Sequence, residues 1–66
     1  MLTQREEDVI KLLLKGLSNK EISEKLSVTY NTTKAHIESI YRKLNVSNRV
    51  QAVIKYLEMT SINLNK

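Results

Sequence analysis
The chain has 66 residues, 41% of them hydrophobic and 27% charged, with no cysteine and a formal net charge of +4. That length bounds it to one domain with one small core and excludes a large substrate cavity. No apolar run approaches the ~18 residues that span a bilayer, Met1-Leu2-Thr3-Gln4-Arg5 carries no export signal, and the lack of cysteine excludes a disulfide framework and fits a cytoplasmic protein.

Val9, Ile10, Leu13, Leu14 and Leu17 recur at spacings of three and four, which predicts a first helix over residues 4–15. Thr3 followed by Glu6 is a capping box that starts it, and Glu6, Glu7 and Asp8 lie near its positive end. Gly16, the one glycine, supplies the left-handed residue that ends it. Ser18 and Glu21 repeat the box for a second helix over 19–26, with Leu17 and Ile22 placed as a hydrophobic staple. Thr29 caps a third helix over 30–44, whose buried face is Thr33, Ile37, Ile40, Tyr41 and Leu44 and which Asn45 ends. Ser47 is placed to cap a fourth over 48–59, with Val50, Val53, Ile54 and Leu57 as its core face. Residues 61–66 have little to hold them and are expected to form a frayed tail. No strand pattern, proline or repeat competes, so the expected fold is all-α: one domain over 1–66, a four-helix bundle containing a helix-turn-helix.

The whole charge excess follows residue 33. Lys34, Arg42, Lys43, Arg49, Lys55 and Lys66 face only Glu38 and Glu58 there, whereas the first half is balanced, and this asymmetry suits a polyanion. At about 100° per residue, helix three turns Asn31, Lys34, Ala35, Glu38, Ser39 and Arg42 outwards or onto the flanks of its buried stripe. Its first two turns would reach base edges, which nominates Asn31, Lys34, Ala35 and Glu38 for base reading in double-stranded DNA. Arg42 and Lys43 suit phosphates or the negative end of their own helix. Glu38 is either a specificity residue or a solvated partner for Lys34 or Arg42. His36 falls beside the buried stripe and is expected to be partly packed.

On helix four, Ala52, Tyr56 and Met59 lie roughly opposite the expected core face, a surplus that two-fold self-packing would cover. Nothing suggests an enzyme, a metal or a cofactor: there is one histidine, no glycine-rich phosphate loop and no metal-ligand cluster. The alternative to DNA binding is a protein-interaction module using helix three or helix four.

The segments Leu2-Thr3-Gln4-Arg5-Glu6, Gly16-Leu17-Ser18-Asn19-Lys20-Glu21-Ile22, Thr32-Thr33-Lys34-Ala35-His36-Ile37, Ile40-Tyr41-Arg42-Lys43-Leu44-Asn45-Val46 and Arg49-Val50-Gln51-Ala52-Val53 together resemble the LuxR-type, or GerE-like, helix-turn-helix domain. That family forms the output half of many bacterial response regulators. The resemblance implies transcription regulation, homodimers through helix four on inverted-repeat sites, and RNA polymerase as a candidate partner. It implies that Lys34, Ala35 and Glu38 face bases while Lys20, Thr29, Thr32 and the flanks of helix three hold the DNA backbone. Ser23, Thr33 and Asn45 depart from the family's usual alanine, valine and glycine, and the two hydroxyls must find partners near the core. With Leu2-Thr3 opening the motif directly after Met1, the chain reads as either an excised output domain or a free-standing regulator.

Overall fold
Both capping boxes form. Thr3 Oγ1 accepts from the Glu6 amide at 3.1 Å while Glu6 Oε1 accepts from the Thr3 amide at 2.9 Å, and Ser18 and Glu21 repeat the exchange at 3.1 and 2.8 Å. The structure, a computed structural model, describes residues 1–64, with side chains through Thr60. It is all-helical over these residues, in the order α1 (Gln4–Leu14), α2 (Asn19–Leu26), α3 (Tyr30–Leu44) and α4 (Arg49–Leu64).

The first three helices end alike, on a left-handed residue followed by a half-buried apolar one. Gly16 sits at φ 85°, and Ser27 and Asn45 both at 58°. The next amides reach back, Leu17 to the Leu12 carbonyl at 3.3 Å, Val28 to Ser23 at 3.0 Å and Val46 to Tyr41 at 2.9 Å. This arrangement satisfies otherwise orphaned carbonyls and tucks an apolar side chain under each helix end. Gly16 and Asn45 were legible as such stops, but Ser27 was not, since a serine in this region carries a steric cost of roughly 1–2 kcal/mol that sequence preference argues against.

Val9, Ile10, Leu12 and Leu13 of α1 meet Ile22 of α2, Ile37, Ile40 and Leu44 of α3 and Tyr56 of α4 in one core. Because α1 packs against all three other helices, its buried surface is wider than one stripe, so Leu12 is buried and Leu14 only half so. The α1–α3 contact is sealed by a carboxylate. Glu6, 4% exposed, accepts from Ser39 Oγ at 2.6 Å and from Lys43 Nζ at 2.8 Å besides the Thr3 amide. These donors, Lys43 first and Ser39 next, outweigh burial and lower its pKa from 4.5 to about 2.

Helix four departs from expectation in three ways. Its cap is Asn48, whose Oδ1 accepts from the Gln51 amide at 3.0 Å, while the Ser47 amide donates to Gln51 Oε1 at 2.8 Å. It continues to Leu64 rather than stopping at 59, since no glycine or proline interrupts it and extending a formed helix is easy. The expected frayed tail over 61–66 is therefore helical through 64, and residues 65 and 66 lie outside the described ones. It is also rotated. Ala52 at 0% and Tyr56 at 8% exposure are core, whereas Val50, Ile54 and Leu57 are exposed. Two polar anchors set this rotation: Arg49 donates to the Leu13 carbonyl at 3.3 Å and to that of Leu17, and Tyr56 Oη donates to Glu7 Oε1 at 2.7 Å.

Of the two hydroxyls near the core, Ser23 donates back to the Lys20 carbonyl at 2.7 Å, while Thr33, 0% exposed, leaves Oγ1 without a partner. Thr33→Val, nearly isosteric, should therefore stabilise the domain by about 1–2 kcal/mol, read as a rise in Tm of roughly 4–8 °C per kcal/mol; an unchanged or lower Tm would count against an unsatisfied hydroxyl. Because the folded pKa of Glu6 is lowered, its contribution is complete above about 4.5 and is lost as pH falls towards about 2. Denaturant titrations across this window should show a loss on the order of 3 kcal/mol that Glu6→Gln abolishes.

Candidate nucleic-acid interface
Helix α3 is anchored on one side and open on the other. Thr33, Ile37, Ile40 and Leu44 enter the core, and His36 is half-buried beside them, as its position implied. Asn31, Lys34, Ala35, Glu38 and Arg42 are all exposed. At about 100° per residue Asn31, Ala35, Glu38 and Arg42 fall within one narrow arc, with Lys34 on its flank. All four base-reading candidates thus share one outer surface. Glu38 forms no ion pair with Lys34 or Arg42 among the described residues.

The ends of the turn shape the same surface. Thr29 Oγ1 accepts from the Thr32 amide at 3.0 Å and donates to Thr32 Oγ1 at 2.8 Å, so the two hydroxyls expected at the DNA backbone are exposed and hold each other at the helix start. Helices α1 and α2 carry acids in their first turns and α3 carries none. The positive end of α3 is therefore left uncompensated, which favours an approaching anion. Lys20 is exposed in the first turn of α2.

Two groups of candidates are placed elsewhere than expected. Lys43 is turned about 100° from Arg42, towards α1, and its ammonium is paired with Glu6, so it is not a free phosphate ligand. Ala52 and Tyr56 are inside the protomer and cannot meet a partner; Met59 remains 47% exposed but lines a cleft with Leu2 and Leu44, away from the exposed stripe of Val50, Ile54 and Leu57. The sequence reading set Ser39 outwards or on the flank of α3, whereas it is half-buried and helps seat the helix by donating to Glu6, and it gave no role to Tyr30, a 51% exposed aromatic on the first turn of α3. For Tyr30 the available signal was a large aromatic just after a helix cap.

No helix among the described residues is long and apolar enough to cross a membrane. Residues 1–56 match the family of bacterial regulatory proteins described as the luxR family. The chain is 48% identical over 58 residues to the nitrate/nitrite response regulator protein NarP of Escherichia coli (strain K12), covering 88% of this chain and 27% of NarP. It is 45% identical over 53 residues to the HTH-type transcriptional regulator MalT of Vibrio campbellii (strain ATCC BAA-1116), covering 80% of this chain and 6% of MalT. The chain thus spans little more than a quarter of NarP and far less of MalT. Among solved structures it resembles the transcription factor GerE, with a TM-score of 0.82 and 38% identity over 88% of this chain and 87% of that one. With a family match over most of its length, transcription regulators as relatives and a GerE-like four-helix architecture, the chain belongs to the luxR family of bacterial regulatory proteins and is a helix-turn-helix DNA-binding domain rather than an enzyme.

Proposed function
We propose that this domain lays α3 in a major groove of double-stranded DNA in the bacterial cytoplasm and binds inverted-repeat sites as a homodimer. The observation that carries this reading is the exposed stripe of Asn31, Lys34, Ala35, Glu38 and Arg42 on a helix whose opposite side is fixed in the core. Lysine can donate to guanine O6 or N7, asparagine can pair with adenine, and glutamate can accept from cytosine N4. Ala35 allows close backbone approach and offers a methyl to thymine. Lys20, Thr29, Thr32 and Arg42, with the positive end of α3, supply the sequence-independent hold on phosphates.

Dimerisation is assigned to Val50, Ile54 and Leu57. These apolar side chains, 66%, 50% and 49% exposed, recur at spacings of four and three along one side of α4. Two copies packed on this stripe would bury a surface that one protomer leaves in water, with the self-complementary geometry of a two-fold interface.

Selection from a randomised DNA pool should enrich inverted repeats with half-sites about one helical turn apart; enrichment of no sequence would overturn the reading. If a dimer neutralises about six phosphates, log K should fall against log salt with a slope near −5. Lys34→Ala should cost about 1–3 kcal/mol on the selected site and relax one base position, whereas Lys20→Ala should weaken all sequences alike and reduce the slope by about 1. Sedimentation should find Ile54→Lys shifted towards monomer relative to the parent, and equal dimerisation of the two proteins would locate the interface elsewhere.

A further inference from the structure
We infer that Glu6 restrains sequence-independent DNA binding by holding Lys43 away from the phosphate backbone. This rests on the DNA-binding reading above and adds a residue on α1, remote in sequence from α3, to those that set specificity.

Three cations lie on α3. Lys34 and Arg42 are exposed and have no ion-pair partner among the described residues. Lys43 alone of the three is engaged, at 2.8 Å from Glu6 Oε1, with its side chain 34% exposed. The two partners differ in freedom. Glu6 is 4% exposed and pinned by the Thr3 amide at 2.9 Å and by Ser39 at 2.6 Å, so it cannot follow the lysine outwards. Lys43 has a flexible stem and a strongly hydrated head at the protein surface, next in sequence to Arg42.

A phosphate that drew Lys43 away would remove the cationic partner of a buried carboxylate, a costly loss. The gain from such a contact is offset by that loss within the protein. DNA of any sequence offers phosphates, so the pair suppresses the part of affinity that carries no sequence information. Neutralising Glu6 releases Lys43 for phosphate. A purely structural role predicts the opposite sign, because a loosened α3 binds less well.

The test is titration of a random-sequence duplex between about 50 and 200 mM salt with the parent chain, Glu6→Gln, Lys43→Gln and the double variant, with circular dichroism to confirm folding. Glu6→Gln should bind the random duplex more tightly at low salt and steepen the slope by about 1 per subunit, an extra loss of roughly threefold to fourfold per subunit across that range. The double variant should return to the parental slope. Weaker binding by folded Glu6→Gln, or an unchanged slope, overturns the inference. Should Glu6→Gln fail to fold, Lys43→Gln decides: a parental slope supports the restraint, and a slope shallower by about 1 overturns it, because Lys43 would then already be on phosphate. Failure of the parent chain to bind any duplex would instead bring down the DNA-binding reading, and the inference with it.

Discussion

The carboxylate of Glu6 ties the start of α1 to the middle and end of α3. In a domain of 66 residues the apolar core alone leaves helices some freedom to slide or turn about their axes. A buried charge does not tolerate that freedom, since any rotation of α3 that separates Ser39 or Lys43 from Glu6 leaves the carboxylate underbonded. The rotation of α3 determines which residues face outwards, so the direction of Asn31, Lys34, Ala35 and Glu38 follows from a contact on the other side of the helix.

Helix chemistry divides accordingly. Acids compensate the first turns of α1 and α2, while α3 starts on threonine hydroxyls and no acid at all. Helix α3, without an acid in its first turn, is held instead by its neighbours, through the core and through Glu6. Arg49 and Tyr56 do for α4 what Glu6 does for α3, fixing its rotation by reaching the carbonyls at the end of α1 and the side chain of Glu7. Proton affinity follows from that anchoring, because Glu7 and burial together push the Tyr56 hydroxyl up to about 12 and keep it a donor.

Helix boundaries were legible because the signals that set them are local. Thr3 with Glu6, Ser18 with Glu21, Thr29, Gly16 and Asn45 all act within one turn, and the predicted limits of α2 and α3 coincide with those observed. The outer face of α3 was legible for the same reason, since its apolar residues occupy only one side. Helix four was not. Val50, Ala52, Val53, Ile54, Tyr56 and Leu57 spread around more than half its circumference, so periodicity could not choose the core side. The choice was made by Arg49 and Tyr56, whose partners lie more than thirty positions away. Glu6 misled in a related way: its helix-start position accounts for an acid there, which hid a second role that only the packing of α1 on α3 discloses.

Membership in the luxR family accounts for the architecture and its use in regulators, while the surface of α3 belongs to this chain. Glu38 places an acid in the middle of the otherwise cationic or neutral outer face of α3, and in the proposed binding mode it would act as an electrostatic discriminator among bases. The most direct test of the central claim is a backbone amide NMR titration of the folded domain with the inverted repeat recovered by site selection. Shifts concentrated on residues 29–42 and around Lys20, with the α1 face little changed, are what this account predicts. A binding footprint centred on α4 or on the exposed side of α1, with the outer amides of α3 unmoved, would contradict it.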